Sequence, residues 1–357
     1  MFLVVLIVFS ALQAMSSSSV RKFLVNYYQT METTTSVTKQ NETSMIQGQQ
    51  ISRPAVSDEP SKYVVLSANV GKKVREEDYD YLAALTARNW NNFGFTPIII
   101  IVASNVEDVS RTVDLWNIIL PRDTIIIPVL VKRPEHQISV AQVSRLFAVS
   151  SLAELRDDDF VRITDADMMI LNPIPFEPPD DSAIDITIFN GNCCGRQYPM
   201  HSVGMKVRLF RTIFPVDHVQ QHPSSAGPTI LSQFYNWTET RFPDFSDQME
   251  MTHGGQHWGM DQDLLAEKIN EAVQLHGYRL KKEPGPRGRL HIRGNAFSPA
   301  TDAHLAAFSL ALHGTWLDGV VNNTVVLFGN RHKYFQYTQA WKDHKAQMVN
   351  QTTNTTA

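Results

Sequence analysis

Charged side chains are scarce in this 357-residue sequence. Asp, Glu, Lys and Arg make up 19% of it, and the formal net charge is only −4, whereas ordinary soluble domains carry about 25% charged residues. The sequence therefore lacks the basic face or stripe with which a nucleic-acid-binding protein neutralises phosphates. A hydrophobic content of 43% excludes a chain that is disordered from end to end.

The sequence has only two cysteines and lacks several common catalytic motifs. The two cysteines, Cys193 and Cys194, are adjacent, so they form either a strained vicinal bridge or two thiols, and cannot supply a disulfide framework or a zinc ribbon. We assign them no catalytic role. The sequence contains no G-x-x-x-x-G-K-[ST], no H-E-x-x-H and no G-x-S-x-G. These absences argue against a P-loop nucleotidase, a zinc protease and a serine hydrolase.

The two ends of the chain differ in composition from its middle. Residues 1–15 begin with an uncharged apolar run, MFLVVLIVFSALQA, which spans about 20 Å as a helix, less than the ~30 Å core of a bilayer. We interpret it as a signal peptide or a short signal anchor, with a buried N-terminal strand as the alternative. Residues 16–60 contain 14 Ser or Thr and are predicted to be a disordered stem. Residues 346–357 are predicted to be a disordered tail.

N-glycosylation sequons fit a lumenal protein, although a chain rich in Asn, Ser and Thr produces several of them by chance. They begin at Asn41, Asn236, Asn322, Asn350 and Asn354. The sequons therefore support a secretory protein only in combination with the N-terminal apolar run.

Apolar strands alternate with helices in the first part of the folded region, at about 61–175. This order is typical of a parallel sheet with helices on both faces. Such sheets bind ligands at the carboxyl ends of their strands, near a reversal of strand order, so we predict a nucleotide-binding half. The predicted strands are 63–67, 97–103, 124–131 and 160–164, and the predicted helices are 77–93, 106–119 and 140–155.

The second part of the folded region, at about 176–345, is less regular, and no internal repeat is visible. The basic loop at 281–289, KKEPGPRGR, could close over phosphates, but we favour a solvated connection. The other predicted elements are a strand at 183–190 and helices near 229–235, 261–276, 302–313 and 334–347.

Two carboxylates, Asp165 and Asp167, directly follow the predicted buried strand at 160–164. Carboxylates beside apolar residues are costly unless they are paired or bound to a metal, and hard divalent cations prefer such oxygen ligands. We therefore predict a divalent metal site here, with a structural Asp turn as the alternative. Three other D-x-D triplets lie in polar stretches, where we expect solvated positions: Asp78 and Asp80, Asp157 and Asp159, and Asp261 and Asp263.

Five segments of the sequence resemble the GT-A family of nucleotide-sugar glycosyltransferases. In chain order they are KYVVLSAN, AQVSRLFAVSSL, VRITDADMMILNP, WGMDQDLL and ALHGTW. The resemblance extends over about 280 residues. It implies an α/β fold of GT-A type, in which a Rossmann-like nucleotide-binding half with a mainly parallel sheet is fused to a smaller mixed α/β acceptor half.

The resemblance also implies an activity and a location. It implies a transferase that uses Mn²⁺, with Mg²⁺ as the alternative metal, to move a sugar from a UDP-sugar to a hydroxyl of a glycan, protein or lipid. The enzyme would work in the lumen of the Golgi or endoplasmic reticulum, either secreted or anchored as a type II membrane protein. Nucleic acid is not an expected partner, and contact with a membrane is expected only through the N-terminal segment.

Three residues are expected to form the metal site on the basis of this resemblance. Asp165 would face both the ribose and the metal, and Asp167 would ligate the metal directly. His313 would complete the site, and an imidazole beside carboxylates favours Mn²⁺ over Mg²⁺. The alternative for His313 is a helix C-cap that ends at Gly314.

Four further residues match family positions that hold the nucleotide. Ser67, Ala68 and Asn69, at the end of the first predicted strand, match the segment that binds uracil and ribose. Arg145 lies on the helix before the D-x-D motif and matches a basic residue that contacts the nucleotide. The alternative for Arg145 is an ordinary surface arginine.

Asp261 is the candidate general base, or the residue that orients the acceptor, and Asp263 is the second candidate. If the enzyme retains the anomeric configuration, Asp261 would be an acceptor ligand instead of a base. The alternative is structural, because Asp at the N-cap or first turn stabilises a helix. Nearby, Trp258 could stack on a sugar ring or belong to the core, and the glycines at 254–255 would allow the preceding loop to move.

Two other function classes remain open from the sequence. A sugar-nucleotide nucleotidyltransferase shares the Rossmann-like half, but the sequence lacks its glycine-rich phosphate segment near the first strand, and the N-terminal apolar run argues against it. A catalytically silent lumenal protein that binds carbohydrate or nucleotide is the other alternative. The donor sugar and the acceptor are not specified by the sequence.

Overall fold

The structure is a computed structural model. It describes residues 59–70, 78–170, 172–189, 191, 196–242, 259–283, 290–291, 302–304 and 331–354. The predicted signal segment and nearly all of the predicted stem lie outside these residues. No helix within the described ranges is both long enough and apolar enough to cross a bilayer.

The described residues form ten strands and seven α-helices. The strands are β1 (Lys62–Asn69), β2 (Thr96–Ala103), β3 (Ile125–Leu130), β4 (Phe160–Ile163), β5 (Met168–Ile170), β6 (Ile186–Phe189), β7 (Val203–Lys206), β8 (Leu280–Glu283), β9 (Leu290–His291) and β10 (Asp302–His304). The helices are α1 (Tyr79–Asn92), α2 (Val106–Trp116), α3 (Gln137–Ser151), α4 (Val207–Ile213), α5 (Pro223–Arg241), α6 (Met260–His276) and α7 (Arg331–Asn354).

Seven of these strands form one sheet in the order β3-β2-β1-β4-β7-β6-β8. The first four strands in that order are parallel, β7 is antiparallel to both of its neighbours, and β8 is parallel to β6. The predicted α/β fold with a mainly parallel sheet is therefore confirmed. The chain order reverses between β1 and β4, and a crevice for ligands is expected outside the carboxyl ends of these two strands.

The central strands are buried on both faces, as their continuous apolar runs predict. Val65 of β1 belongs to a hydrophobic cluster that includes the buried side of α3. Its neighbours Val64 and Leu66 belong to a second cluster that includes α1. Burial of each such side chain contributes about 1.5–3 kcal/mol relative to leaving it exposed, so α1 and α3 are held on opposite faces of β1.

The second half differs from the prediction at residues 302–304. These residues form β10, in a second sheet of order β5-β10-β9, so the predicted helix at 302–313 is wrong for them, and the rest of that range lies outside the described residues. Ala-rich composition favours a helix locally, but backbone pairing with β5 outweighs this propensity. The structure also contains β5, β7, β8 and β9, short strands that the sequence pattern did not indicate.

The C-terminal helix is longer than predicted. Because α7 continues through Asn354, the predicted disordered tail is wrong for residues 346–354. The residues after Lys345 begin Ala346, Gln347, Met348, which have high helix propensity and so extend the helix.

Helix α7 packs on α1 through a group of aromatic and polar side chains. The rings of Tyr81 and Tyr337 are stacked, with centroids 5.1 Å apart, and the hydroxyls of Tyr81 and Thr338 are hydrogen-bonded at 2.9 Å. Lys345 Nζ lies 2.9 Å from Asp78 Oδ1. These contacts attach α7 to the N-terminal end of α1.

Each of the three D-x-D triplets expected on the solvated surface contains a buried carboxylate, and Asp261 belongs to the third triplet. Asp78 and Asp80 are both 5% exposed, and Asp159 is 1% exposed, so the expectation is wrong for these three residues. Asp159 accepts hydrogen bonds from the backbone N–H groups of Ser61 and Arg156, at 2.9 and 2.8 Å. It thereby ties the start of β4 to the start of β1, and buried carboxylates with such partners are well tolerated.

Asp80 should make the stability of the protein depend on pH. Burial raises its pKa from 3.8 to about 6, although Lys345 lowers the pKa. The folded state therefore holds the proton more tightly than the unfolded state. The resulting stabilisation is fully present below pH 3.8 and is lost as the pH rises through about 6, which amounts to about 3 kcal/mol in all.

The variant Asp80→Asn carries no charge at any pH and should remove this dependence. When the pH is raised from about 5 to about 7.5, the parent should lose about 1 kcal/mol more unfolding free energy than Asp80→Asn does. Urea denaturation at the two pH values measures this difference. The exposed Asp123 offers the control, because Asp123→Asn makes the same substitution at a solvated position. Parallel pH profiles of Asp80→Asn and the parent would contradict the expectation.

Candidate functional site

The candidate site lies where the carboxyl ends of β1 and β4 meet. The strand β4 pairs with β1 up to Ile163, opposite Val65, and Thr164 N then donates to Val65 O at 2.9 Å. The chain next turns, and Met168 N donates to Asp165 O at 3.2 Å. Asp165 and Asp167 are therefore held in a tight turn at the sheet edge that the topology marks as the ligand site.

The two carboxylates of this turn differ in exposure. The side chain of Asp165 is 34% exposed, whereas Asp167 is buried, with 2% exposure. The prediction that both residues lie at the end of a buried strand is consistent with this geometry, and their role as metal ligands remains a prediction.

Arg145, on α3, connects the D-x-D turn to α6. Its Nη1 donates to Thr164 O at 2.8 Å and to Asp165 Oδ1 at 2.6 Å, and its Nη2 donates to Asp261 Oδ2 at 2.9 Å. Arg145 is 5% exposed, so the alternative of a surface arginine is wrong. One guanidinium thus joins residues that are 116 positions apart in the chain.

The charges of this cluster shift the pKa values of its members. Burial alone would lower the pKa of Arg145, but Asp165 and Asp261 outweigh that effect and raise it. Burial raises the pKa of Asp261 to about 6, Arg145 lowers it, and Asp165 raises it. Because two carboxylates share one guanidinium, Asp261 is only partly compensated and its pKa stays above the ordinary value.

Asp261 lies in the first turn of α6, and both of its carboxylate oxygens are engaged. Gln262 N donates to Asp261 Oδ1 at 2.8 Å, while Oδ2 accepts from Arg145. The N-cap of α6 is Gly259, so Asp261 lies in the first turn and not at the N-cap. Its role as a base or as an acceptor ligand remains a prediction. Asp261 is 3% exposed, which overturns the expectation of a solvated position.

Asp263 lies one residue beyond Gln262 on the exposed side of the same turn. Gln197 Nε2 donates to Asp263 Oδ1 at 2.9 Å. A Cβ at Gly259 would meet Gln197 Nε2 at 2.9 Å, so a glycine at the start of α6 allows Gln197 to pack this closely. The Gln197 side chain thereby holds the exposed carboxylate of Asp263.

Ser67, Ala68 and Asn69 are all buried at the end of β1. The Ser67 hydroxyl donates to the carbonyl of Ala141 on α3, and Ala68 belongs to the opposite cluster, which includes α1. Because Thr164 N bonds to Val65 O, this strand end lies close to the D-x-D turn. Binding of uracil and ribose by these residues remains a prediction.

His201 is a site residue that the sequence analysis did not single out. It belongs to a short 3₁₀ turn, Met200–Ser202, that leads into β7. Its Nδ1 lies 3.7 Å from Asp165 Oδ2, and its side chain is 10% exposed. Since β7 is antiparallel, the start of β7 reaches the same sheet edge as the end of β4, and recognition of this four-residue strand would have been needed to place His201 there.

Several predicted residues lie outside the described residues. They are His313, Trp258, Cys193, Cys194 and the glycines at 254–255. Within the ranges that the structure describes, no group of three or more His, Cys, Asp or Glu side chains is arranged to hold a metal ion. The three-residue metal site expected from the sequence therefore remains a prediction.

The chain matches no protein-family model, and no curated protein matches it either. Among solved structures, it is similar to the galactosyltransferase LgtC in complex with donor and acceptor sugar analogues, with 11% identity and a TM-score of 0.37 over 68% of this chain and 86% of that chain. An active-site mutant of LgtC shows 12% identity and a TM-score of 0.36 over the same shares. The bifunctional glycosyltransferase WbbM, in its apo form, shows 12% identity and a TM-score of 0.29 over 65% of this chain and 40% of that chain. These solved structures are glycosyltransferases, at identities and TM-scores too low to assign this chain to their family.

Proposed function

We propose that this protein is a glycosyltransferase that moves a sugar from a nucleotide-sugar, specifically a UDP-sugar, to a hydroxyl group of an acceptor. One observation carries the proposal. Asp165 and Asp167 lie at the carboxyl edge of the sheet, beside the reversal of strand order between β1 and β4, where open α/β sheets bind their ligands. We infer that the donor is a nucleotide-sugar from the resemblance of the surrounding sequence to the GT-A family.

The side chains at this edge have the chemistry that a divalent cation such as Mn²⁺ needs. Asp165 and Asp167 offer hard carboxylate oxygens, and the imidazole of His201 lies 3.7 Å from Asp165, a combination that favours Mn²⁺ over Mg²⁺. We include His313 as a further proposed ligand, and oxygens of the donor diphosphate would add to the set. The bound cation would act as a Lewis acid that stabilises the negative charge on the departing diphosphate.

The proposed reaction exchanges one bond at the anomeric carbon for another. The bond from this carbon to the diphosphate oxygen breaks, and the diphosphate leaves with the electron pair. The acceptor oxygen bonds to the carbon and gives up its proton to a base or to solvent. Arg145 keeps a fixed positive charge beside Asp165, 2.6 Å away, and so holds the first carboxylate of the motif in one orientation.

The two carboxylates of α6 have different proposed tasks. Asp261 is buried and hydrogen-bonded through both oxygens, which suits a residue that orients Arg145 and the acceptor side of the site. Asp263 is exposed, and its Oδ1 is held by Gln197, so it is the better placed of the two to meet an acceptor hydroxyl. In an enzyme that retains configuration, both would serve as acceptor ligands.

We place the proposed activity in the lumen of the secretory pathway because of the apolar run in residues 1–15. The acceptor would be a glycan, protein or lipid in that compartment.

The test is incubation of the purified full chain with a panel of UDP-sugars, with Mn²⁺ or with a chelator. We expect release of UDP from at least one donor with Mn²⁺ and no release with the chelator. Release of pyrophosphate from UTP and a sugar phosphate would identify a nucleotidyltransferase instead. Binding of UDP without turnover of any donor in the panel would favour a silent binding protein. Either result would contradict the proposed transferase.

A further inference from the structure

Helix α1 directs buried polar side chains at the backbone of the D-x-D turn. Thr86 Oγ1 donates to Ala166 O at 2.7 Å, and Trp90 Nε1 donates to Met168 O at 3.0 Å. Thr86 is fully buried and Trp90 is 1% exposed. The two carbonyls that these side chains bind belong to the residues on either side of Asp167.

A third side chain of α1, that of Asn89, makes two hydrogen bonds to the backbone of Ile170, two residues after Met168. Asn89 Nδ2 donates to Ile170 O at 3.1 Å, and Ile170 N donates to Asn89 Oδ1 at 2.8 Å. The Asn89 amide therefore pairs with both backbone groups of Ile170, as a neighbouring strand would. Asn89 is fully buried, so these bonds are sheltered from competing water.

The contacts of α1 and of β10 together occupy both edges of β5. Strand β10 pairs with β5 in antiparallel register, with Ala303 opposite Met169. The backbone groups bound by α1 belong to Ala166, Met168 and Ile170, which alternate along the chain and so face the same side. The segment that carries Asp167 is therefore fixed by β4 before it and by α1 after it.

A purely structural account explains only part of this arrangement. Buried carbonyl groups need hydrogen-bond donors, and any set of donors would satisfy them. The three donors lie on one helix and bind Ala166, Met168 and Ile170. Because the peptide planes on either side of Asp167 are then no longer free to rotate, the direction of the Asp167 side chain is also fixed. A metal ligand must be held in its productive orientation by such surrounding hydrogen bonds.

We propose that Thr86, Asn89 and Trp90, here named the α1 clamp, are positioning residues that orient Asp167 for metal binding. The proposal rests on the proposed function, in that it takes Asp167 to be a metal ligand. The clamp residues act through the backbone of residues 166–170 and touch neither the metal nor the donor.

A matched pair of threonine substitutions tests the clamp. Thr86→Val removes the hydroxyl that binds Ala166 O, whereas Thr338→Val removes a buried hydroxyl that binds Tyr81 Oη, in the first turn of α1. Thr338 is 4% exposed, so both variants lose one buried, hydrogen-bonded hydroxyl group and should lose similar thermal stability. Thr86→Ser restores the hydroxyl.

The measurement is the Kd of Mn²⁺ for the full chain with UDP present, from the free Mn²⁺ signal in electron paramagnetic resonance. We expect Thr86→Val and Asn89→Leu to bind Mn²⁺ about tenfold more weakly, with Thr338→Val and Thr86→Ser within about twofold of the parent. The clamp would be overturned if Thr86→Val bound Mn²⁺ as tightly as the parent, or if Thr338→Val weakened Mn²⁺ binding as much as Thr86→Val does. Neither result would contradict the proposed function. A parent that binds no Mn²⁺ would overturn the metal part of the proposed function and the clamp with it.

Discussion

Replacement of Asp167 by Asn should reduce Mn²⁺-dependent release of UDP about a thousandfold. Asp167 is 2% exposed and follows β4 at the sheet edge where the donor diphosphate is proposed to bind. Asn has nearly the same shape but lacks the negative charge, so it is a poor ligand for a hard cation. The rate is measured with the donor that the UDP-sugar panel identifies.

Asp80→Asn is the matched control for this substitution. Asp80 is also buried, with 5% exposure, and lies at the start of α1 instead of in the D-x-D turn. We expect the Asp80 variant to retain its UDP release, and thermal melting should show that both variants are folded. Undiminished activity in folded Asp167→Asn would rule out the metal role of this residue.

Arg145→Met should destabilise the protein by about 3–5 kcal/mol, because it leaves the buried carboxylate of Asp261 without its cation. In the parent, Arg145 binds Asp165 at 2.6 Å and Asp261 at 2.9 Å. Without this guanidinium, the burial of Asp261 is uncompensated and its pKa should rise above the value of about 6 in the parent. The extra stability loss should therefore be largest at neutral pH and smaller at about pH 5.

Urea denaturation of single and double variants tests this prediction. Adding Asp261→Asn to Arg145→Met should recover part of the lost unfolding free energy, because the unpaired charge is removed. Arg208→Met is the control, since Arg208 forms an exposed pair with Asp158 and such pairs are worth less than about 1 kcal/mol. A loss in Arg145→Met no larger than that of Arg208→Met would contradict the buried network.

The site could be located from the sequence, but the side chains that organise it could not. Asp165 and Asp167 were recognisable because they follow an apolar run long enough to be a buried strand, and the strand–helix alternation predicted which sheet edge they would reach. Arg145 was recognisable as a candidate, but its bonds to Asp165 and Asp261 depend on how α3 and α6 pack. Contacts between residues that are 116 positions apart have no local signal in a single sequence.

Short strands account for the errors in the second half. Residues 302–304 begin a stretch whose composition favours a helix, and only the availability of β5 as a partner makes them a strand. The position of His201 was missed for a related reason, because it depends on the four-residue strand β7. The α1 clamp likewise depends on long-range contacts, since Thr86, Asn89 and Trp90 look like ordinary positions on an amphipathic helix until β5 is placed beside them.

The most direct measurement of the central claim is the affinity of the full chain for UDP as a function of Mn²⁺. If Asp165 and Asp167 hold a cation that stabilises the bound diphosphate, titration calorimetry should show UDP binding at least about tenfold more tightly with Mn²⁺ than with a chelator. Asp167→Asn should remove that difference and leave the metal-free affinity unchanged. UDP affinity that is the same with Mn²⁺, with chelator and in Asp167→Asn would contradict a metal-dependent donor site at this edge of the sheet.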